Sequence, residues 1–480
     1  MTTAGQGSQF PWLDGLPPLS PEEEAATDNQ ARVLNEDSDA NTSRNLQLNQ
    51  LLIEQYNSRN DTDDPAPRLM TVDVETEREI VQQLAFDQLV VRTSQLQGVM
   101  DTLTEAGYTV PRDENDPLPR TQVVELAGRV TLLRVQRDGV YLSADELREP
   151  LQKLLDAGFD ASLNHCVPLG YTVKSVVGDV GPTPSHASPL TRPEALATFQ
   201  PEGPGVKIAV IDTGLADERR RDQWLDDVAF GPKDVDPVFT DPQRTVIGDI
   251  AGHGNFVTGI IRQVEPSADI RMDGVFGPEV VASDVRVAIA VWRAVRHGAR
   301  IVNISLGTTT LGQRPTVAIW VALELIAENF ADDPVVVVCA AGNNRDETRV
   351  YPAALTAITA FSELGSGVRV VAVGGLELDS TGADFSSRGD WVTCSAIARR
   401  VLSTFVMGDQ DLGNGQIVTY GPDPWALWTG TSFAAPQVAG AIARTCREQH
   451  KTPVEALESL LAGGNAVSKF GQALEILPIR

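Results

Sequence analysis

The stretch GVKIAVIDTGLAD, residues 205–217, decides the fold class of this 480-residue chain. An almost wholly apolar run ends there in Asp212-Thr213-Gly214. The same three residues allow three interpretations: half of an aspartic-protease dyad, the acidic member of a serine-hydrolase triad, or a strand that ends in a turn. Taken alone, the stretch favours the turn. Its meaning therefore depends on partners elsewhere in the sequence.

Beyond residue 205, nearly continuous apolar runs alternate with segments of helical spacing. The runs are 207–211, 300–306, 334–341 and 368–375, and the clearest helix is 283–299. Such alternation is typical of a parallel sheet that helices cover on both faces. We therefore expect an α/β fold. Ligands of such sheets bind at the carboxyl ends of the strands, where Asp212 lies.

The amino-acid composition of the chain limits the kinds of partner that it could bind. A formal net charge of −26 argues against nucleic acid, because basic side chains bind phosphate backbones. No apolar run reaches the length of about 18 residues that a membrane span needs, and the first residues do not resemble a secretory signal. The four cysteines are far apart and show no C-x-x-C spacing. We expect single buried thiols in a reducing compartment, and hence a cytoplasmic protein with no membrane partner.

Changes in composition divide the chain into four segments. Residues 1–68 are rich in Pro, Asn, Asp, Glu and Ser, and we expect a disordered acidic tail. Residues 69–175 have the order β-α-β-β-α-β, which predicts a small ferredoxin-like α+β domain. Residues 176–204 are predicted as a linker, and residues 205–480 as the α/β domain. The small-domain elements are strands at 87–92, 108–110, 129–135 and 161–167, and helices at 94–107 and 142–158.

The two catalytic interpretations of Asp212 need different partners. An aspartic-protease dyad needs a second D-T-G or D-S-G in a β-rich half, because two carboxylates share one proton. The nearest sequence, LDSTGAD at 378–384, has an extra residue, and its surroundings are α/β. A serine-hydrolase triad instead needs a histidine and an exposed serine.

Both triad partners have candidates. Of five histidines, His253 lies between two glycines in GDIAGHGNFVTGII, where the backbone can approach closely. Ser432 opens a helix of small residues in WTGTSFAAPQVAGAIA, and a helix N-terminus stabilises developing negative charge. Each has a structural explanation as well, His253 as a packing residue and Ser432 as a helix cap. Together, the order Asp, His, Ser is that of subtilisin.

Six segments together resemble the motifs of the subtilisin-like serine proteases, the subtilase family, over residues 205 to about 450. They are AVIDTG, GHGNFVTG, NISLG, AAGNN, FSSRG and GTSFAAPQVAG. The resemblance implies a subtilisin-like parallel sheet and a serine endopeptidase that acts on proteins or peptides. It also implies that Asp212 orients the imidazole, His253 is the general base and acid, and Ser432 is the nucleophile.

The resemblance extends to the rest of the site. Asn343 matches the asparagine of the oxyanion hole, with Asn344 as the alternative if the register slips by one. Ser305, Leu306 and Gly307 match the strand that pairs with an extended substrate. The segment before residue 176 resembles the family's propeptide, which implies that the chain's own N-terminal domain inhibits the cleft until self-cleavage between about 168 and 204. A permanently attached accessory domain is the alternative.

Four positions depart from the family pattern: Asn255 and Phe256 after the histidine, and Phe433 and Gln437 after the serine. None is a triad member, so we expect activity with altered helix packing near the site. No cofactor or metal is expected. Calcium, common in relatives, stays open, since no calcium-loop spacing occurs. Two other functions stay open: a subtilase-fold pseudoenzyme that binds a protein partner, and a regulatory protease activated through residues 1–68.

Overall fold

A computed structural model describes most of the chain. The described residues are 9–35, 49–58 except 51 and 55, 67–77, 80–111, 123–167, 181–199, 205–276 except 237, 239–245 and 249–250, 281–411 except 363, and 417–479. They form an N-terminal segment, a small α/β unit and a large α/β unit. The predicted domain boundary at 175 lies outside the described residues.

Residues 9–35 fold onto the large unit. A 3-10 turn, Pro11–Leu13, precedes helix α1, Pro21–Asn35. Trp12 is 1% exposed, and its Nε1 donates to the carbonyl oxygen of Gln263 at 3.0 Å. The prediction that 1–68 is disordered is therefore wrong for 9–35. The segment is polar on average, but it contains a few large apolar side chains that are buried against the core of the large unit.

Residues 69–167 form the small unit around a four-stranded antiparallel sheet. Its elements are β1 Leu69–Glu75, β2 Ile80–Arg92, α2 Leu96–Glu105, β3 Val130–Leu133, β4 Gln136–Arg137, β5 Val140–Tyr141, α3 Arg148–Asp156 and β6 Ala161–His165. The long strand β2 is central: it pairs with β1, β3 and β6, while β4 and β5 form a separate hairpin.

Three details of the small unit differ from the sequence prediction. The hairpin of β1 with the first half of β2 was not predicted, because the sequence VQQLAFD lacks an apolar alternation. The strand predicted at 108–110 is a single bridge between Thr109 and Gln136. Helix α3 begins at Arg148 rather than near 142, since Ser143 and Glu146 exchange hydrogen bonds in a turn that precedes the helix.

Residues 181–199, predicted as part of the linker 176–204, belong to the large unit. β7, Thr183–Ser185, is the edge strand of a small antiparallel sheet, and helix α4 spans Arg192–Phe199. The linker prediction is wrong for these residues, because their prolines do not prevent a short strand and a helix from forming. Pro184 is tolerated in β7, since an edge strand does not need every N–H.

The large unit contains strands β8 to β19. They are β8 Lys207–Asp212, β9 Asp269–Gly274, β10 Ile301–Ile304, β11 Val335–Ala340, β12 Val368–Leu376, β13 Cys394–Ile397, β14 Val401–Thr404, β15 Gly408–Asp411, β16 Ile417–Tyr420, β17 Trp425–Trp428, β18 Asn465–Val467 and β19 Gly471–Ala473. In the described part, eight form one sheet in the order β18-β19-β13-β12-β11-β10-β8-β9, parallel except for β18 with β19. The predicted parallel sheet is confirmed.

Helices cover both faces of this sheet. The helices are α5 His253–Val264, α6 Asp284–Arg296, α7 Val317–Asn329, α8 Thr359–Ser362, α9 Ala435–Gln449 and α10 Pro453–Gly463. α5 and α9 pack in one apolar core and α6 and α7 in another. Along β11, Val336 and Val338 enter the first core, while Val335 and Val337 enter the second. A strand buried on both faces explains its uninterrupted run of valines.

The small unit packs against α6 and α7. Val90 and Val130 of its sheet share an apolar core with these helices. Ser162 Oγ accepts a hydrogen bond of 3.2 Å from the backbone N–H of Val317, the first residue of α7, where N–H groups lack helical partners. Arg92 donates two hydrogen bonds, of 2.6 and 2.7 Å, to Glu324.

His165 is buried where the two units meet. It is 1% exposed, and its Nε2 accepts a hydrogen bond of 3.4 Å from Leu311 N. Burial lowers the pKa of His165 from its ordinary 6.5 to about 4. The folded protein therefore keeps this imidazole neutral at pH values at which an unfolded chain protonates it.

We expect His165 to make stability fall with acid between pH 6.5 and about 4. Because its folded pKa is depressed, its contribution is complete above pH 6.5 and is lost as pH falls, by on the order of 3 kcal/mol. Urea unfolding of the Ser432→Ala chain, with and without His165→Gln, measures the difference.

The variant should lose less stability in acid than the parent. Asp284, whose burial raises its pKa from 3.8 to about 7, lowers stability as pH rises through that range. This opposite slope is present in both chains and cancels in the comparison. Identical pH profiles for the two chains would contradict the prediction.

Candidate active site

Asp212 and His253 meet at the carboxyl end of β8. Asp212 is the last residue of β8, and His253 is the first residue of α5. His253 Nδ1 lies 2.7 Å from Asp212 Oδ1, and both side chains are buried. An ionised carboxylate only accepts, so Nδ1 donates, and in the neutral imidazole Nε2 then keeps its lone pair. This tautomer suits a proton acceptor.

Two glycines allow close contact between the turn that contains Asp212 and the turn that contains His253. Gly252 has φ of +76°, the left-handed region that favours glycine. A Cβ on Gly254 would lie 2.1 Å from the carbonyl oxygen of Gly214, a backbone atom that cannot move aside easily. The D-T-G turn and the start of α5 are therefore in contact at a point where no side chain fits.

Two further polar side chains join the same turns. Thr213 Oγ1 donates to Asp236 Oδ2 at 2.8 Å and accepts from Gly254 N at 3.0 Å. Asp236 Oδ2 also accepts from Gly252 N at 2.9 Å. Thr213 was within the D-T-G motif but had no predicted role. Asp236 was missed, because its surroundings, KDVDPVF, match no catalytic pattern.

Ser432 lies in the 3-10 turn Thr431–Phe433 that leads into α9. Its Oγ donates to the carbonyl oxygen of Ser305 at 3.1 Å, and Ser305 Oγ donates to the carbonyl oxygen of Ser432 at 2.8 Å. Within the described part of the chain, His253 Nε2 is buried and makes no hydrogen bond. Ser432 is thus held next to the predicted substrate strand rather than bonded to the histidine. Catalytic hydrogen bonds are often incomplete without substrate.

The amide of Asn343 is oriented by the residue before Ser432. Asn343 Oδ1 accepts two hydrogen bonds, each 3.1 Å, from the N–H and the hydroxyl of Thr431. Its Nδ2 is buried and makes no hydrogen bond to any described residue. Asn344 is directed elsewhere, since its Nδ2 donates to Thr309 Oγ1 at 3.3 Å. This arrangement favours Asn343 over Asn344 as the oxyanion donor.

Aromatic side chains surround His253. The ring centroid of His253 lies 5.6 Å from that of Trp428 and 5.5 Å from that of Phe433. Phe256 contacts both of these rings, at 5.4 and 4.7 Å. Two departures from the family pattern, Phe256 and Phe433, therefore form one aromatic cluster. Trp428 was missed, because a tryptophan in a strand carries no catalytic signal.

The other two departures make backbone contacts. Asn255 Oδ1 accepts from Ala216 N at 2.9 Å, next to the D-T-G turn. Gln437 Nε2 donates to the carbonyl oxygens of Ile397 and Phe433, at 2.7 and 2.8 Å. These contacts place no new ionisable group beside Asp212 and His253.

The predicted substrate strand follows β10. Ser305 and Leu306 are fully or almost fully buried. A Cβ on Gly307 would lie 2.7 Å from Val350 Cγ1, so glycine is required unless Val350 moves. Beyond Gly307, Thr308 and Tyr351 exchange two backbone hydrogen bonds of 2.9 Å. The strand is therefore fixed on the side of Val350 and Tyr351.

Among the described residues, no three or more His, Cys, Asp or Glu side chains are grouped so that they could hold a metal ion. In the same residues no helix combines the length and apolar character that crossing a membrane requires. The cysteines Cys166, Cys339, Cys394 and Cys446 are free and buried. The expectation that the protein needs no cofactor stays a prediction. Whether it binds calcium stays an open question.

Comparisons with known proteins agree with this geometry. A family model described as Subtilase family matches residues 203–465. The chain is 29% identical over 291 residues to the major intracellular serine protease of Bacillus subtilis (strain 168), which covers 57% of this chain and 78% of that protein. It is 29% identical over 276 residues to the thermophilic serine proteinase of Bacillus sp. (strain AK1), covering 56% of this chain and 58% of that protein.

A solved structure, fervidolysin from Fervidobacterium pennivorans, is similar with a TM-score of 0.49 and 17% identity, over 85% of this chain and 63% of that one. The family model spans more than half of the chain, and the chain therefore belongs to the subtilase family. It is a subtilisin-like serine endopeptidase with the subtilisin-like α/β fold. The expected fold class and enzyme class are confirmed.

We expect Asn343→Ala to lower kcat by about 10²–10³ with little change in KM, because the amide would stabilise charge that exists only in the transition state. Steady-state kinetics on a peptide substrate measure both constants. Asn344→Ala is the matched control and should cost much less. If Asn344→Ala gave the larger loss of kcat, the predicted register would be wrong by one residue.

Proposed function

We propose that Asp212, His253 and Ser432 form the catalytic triad of this endopeptidase. On substrate binding, Ser432 Oγ turns from the Ser305 carbonyl towards His253 Nε2, which takes its proton as the oxygen attacks the scissile carbonyl. Asp212 then stabilises the imidazolium through Nδ1. His253 returns the proton to the leaving amine, and water hydrolyses the acyl-enzyme by the same steps.

The proposed oxyanion hole consists of Asn343 Nδ2 and the backbone N–H of Ser432. The observation that carries the proposal is the hydrogen bond between Asp212 and His253, which leaves Nε2 of the neutral His253 imidazole as an acceptor. Asn343 Nδ2 is a second buried group, a donor, that makes no hydrogen bond to a described residue. Buried polar groups are normally satisfied, and one that is not calls for an explanation such as strain, an ordered water or a catalytic role. Other buried polar atoms among the described residues also lack a partner, and these two are distinguished by the roles that the reaction would give them.

Protein or peptide substrates are proposed to bind as an added strand beside Ser305–Gly307. Backbone hydrogen bonds would supply most of the affinity, while nearby pockets choose side chains. The cytoplasm is proposed as the location. It is supported by the name of the Bacillus subtilis relative, an intracellular protease, and by four cysteines that are all free.

The small unit is proposed to inhibit the cleft as a propeptide does. Its last described residues run to the start of α6, where Val167 N donates to the carbonyl oxygen of Ala282 at 2.8 Å. Self-cleavage was expected between about 168 and 204. Because residues 183–185 pair in a sheet and 192–199 are helical, we propose that the cut falls within 168–180.

Intact mass and N-terminal sequencing of the wild type beside Ser432→Ala test this function. The wild type should be cut within 168–180, and the variant should stay at full length, since it lacks the nucleophile. Ser459→Ala, a change on α10 away from the site, should be processed like the wild type. Two uncut chains would contradict self-cleavage.

A fluorophosphonate probe tests the triad separately from processing, because it labels an activated serine in cut and uncut molecules alike whenever the small unit leaves the cleft open. Labelling of the wild type at Ser432 is expected, with none in Ser432→Ala or His253→Ala. An unlabelled wild-type chain would instead support the pseudoenzyme interpretation, in which the groove binds a partner.

The contact between Arg92 and Glu324 should control how often the small unit opens. Their side chains are 19% and 18% exposed, so truncation of Arg92 leaves a half-buried carboxylate without this partner. We expect Arg92→Ala to raise the rate of probe labelling in the full-length chain roughly tenfold, as a loss of about 1.4 kcal/mol implies.

Arg137→Ala is the matched control. Arg137 pairs with Glu149 inside the small unit, at 3.0 Å, and makes no described ion pair with the large unit. It should leave the labelling rate unchanged. Equal effects of the two substitutions would show that Arg92 acts through the stability of the small unit rather than through its docking.

A further inference from the structure

Residues 9–35 and the small unit follow one another in sequence but bind different parts of the chain. The described residues between 49 and 58 belong with the small unit: Asn57 exchanges two 3.0 Å hydrogen bonds with Leu69, and the ring of Tyr56 lies 5.4 Å from that of Phe86. Residues 9–35 instead contact residues of the large unit. The small unit is therefore inserted between two parts of the large one.

The first contact is made by the turn around Trp12. Besides its hydrogen bond to Gln263, the Trp12 ring lies 5.6 Å from the ring of Phe199 in an edge-to-face contact. Arg444 of α9 lies over the ring of Phe10 and donates to the carbonyl oxygen of Gln9 at 3.1 Å. A buried tryptophan that is satisfied at its N–H is a strong anchor.

The second contact is made by buried polar side chains of α1. Gln30 is 1% exposed, and its Nε2 donates to the carbonyl oxygens of Gly181 and Leu427 and to Thr183 Oγ1, at 2.9 to 3.1 Å. Glu23 is 5% exposed and accepts from Ser185 Oγ and from the N–H of the next residue, at 2.9 and 3.0 Å. These buried hydrogen bonds favour one docked position, although Gln30 Oε1 is itself buried without a partner among the described residues.

Charge adds a third contact. Asp28 accepts hydrogen bonds of 2.6 and 2.5 Å from Arg399 and Arg400, which lie between β13 and β14. These two guanidinium groups lower the pKa of Asp28 below its ordinary range, although burial acts against them as the largest single cause. The segment is thus held along its length by apolar, polar and ionic contacts.

We propose that residues 9–35 are a permanent part of the peptidase unit and keep the small unit tethered after the chain is cut within 168–180. A single cut leaves the small unit attached through residues 36–48, so it rebinds at an effective concentration of about millimolar. Its release needs a second cut, between α1 and the small unit. That regulatory consequence rests on the proposed function; the attachment of 9–35 does not.

The same segment supports the active site. Gln30 binds the carbonyl oxygen of Leu427, and the next residue, Trp428, packs against His253. Both lie on β17, the strand that leads to Ser432. Loss of residues 9–35 would therefore loosen the strand that positions the nucleophile, whereas loss of the small unit would not touch it.

The test uses the full chain with Ser432→Ala, so that its result does not depend on self-cleavage. Recognition sites for an external protease are inserted between residues 174 and 175 and, in a second chain, also between 44 and 45. Each chain is cut, diluted and separated by size-exclusion chromatography, and mass spectrometry identifies the fragments in each peak. Dissociation of the small unit is followed over time after dilution.

In the doubly cut chain, we expect the peptide 1–44 to stay with the peptidase fragment while the small unit dissociates. In the singly cut chain, the small unit should remain bound at least tenfold longer, from the effective concentration above. Loss of the peptide 1–44 from the peptidase fragment would overturn the proposal. Equal dissociation of the small unit from both chains would overturn it as well.

Substitutions locate the attachment. Trp12→Ala with Gln30→Ala in the doubly cut chain should release the peptide 1–44. Glu22→Ala, on the exposed side of α1, is the matched control and should retain it. If the double variant retains the peptide as well as the control does, these contacts do not hold the segment and the proposal fails. Failure of self-cleavage in the wild type would contradict only the proposed function.

Discussion

The contact between the backbones of Gly214 and Gly254 is the constraint on which the active site depends. The side-chain bond between Asp212 and His253 requires the end of a strand and the start of a helix to approach more closely than any Cβ allows. The parallel sheet brings the two turns to the same edge, because the carboxyl ends of its strands all lie there. Thr213 and Asp236 then fix the distance by bonding both turns.

That constraint extends outwards through the aromatic cluster. Phe256, one turn into α5, lies against Trp428 and Phe433, which flank the G-T-S turn on both sides. The position of His253 relative to Ser432 is therefore set by packing rather than by a hydrogen bond between them. Trp428 is in turn held by β17, which pairs with β7 and receives Gln30. Gln30 and the turn that carries Ser432 are thus connected through the single strand β17.

The sequence predicted the parts of the structure that repeat a local pattern. The β-branched runs at 207–211 and 334–341 are strands, and the apolar spacing within 283–299 predicted helix α6, which spans Asp284–Arg296. Asp212, His253 and Ser432 could be found because each lies at the end of such an element.

What was missed depends on contacts distant in sequence. Asp236 has no motif, and only the fold brings it between Thr213 and Gly252. Residues 9–35 have the composition of a disordered tail, and their order comes from surfaces that the chain supplies more than 150 positions later. The composition of a segment indicates how much apolar surface it could bury by folding alone. It does not show whether the segment can bury its apolar side chains against a core formed by the rest of the chain.

This arrangement bears on the order of folding. The partners of the N-terminal segment are far away in sequence: 251 positions separate Trp12 from Gln263, and 397 separate Gln30 from Leu427. Such contacts form late, because closing long loops costs entropy before any contact is gained. The small unit is different, since its sheet pairs strands within residues 69–165. It can form first and offer α6 and α7 a surface while the parallel sheet assembles. Docking of residues 9–35 would then complete the fold last, and would fix β17 only once the other surroundings of Ser432 are in place.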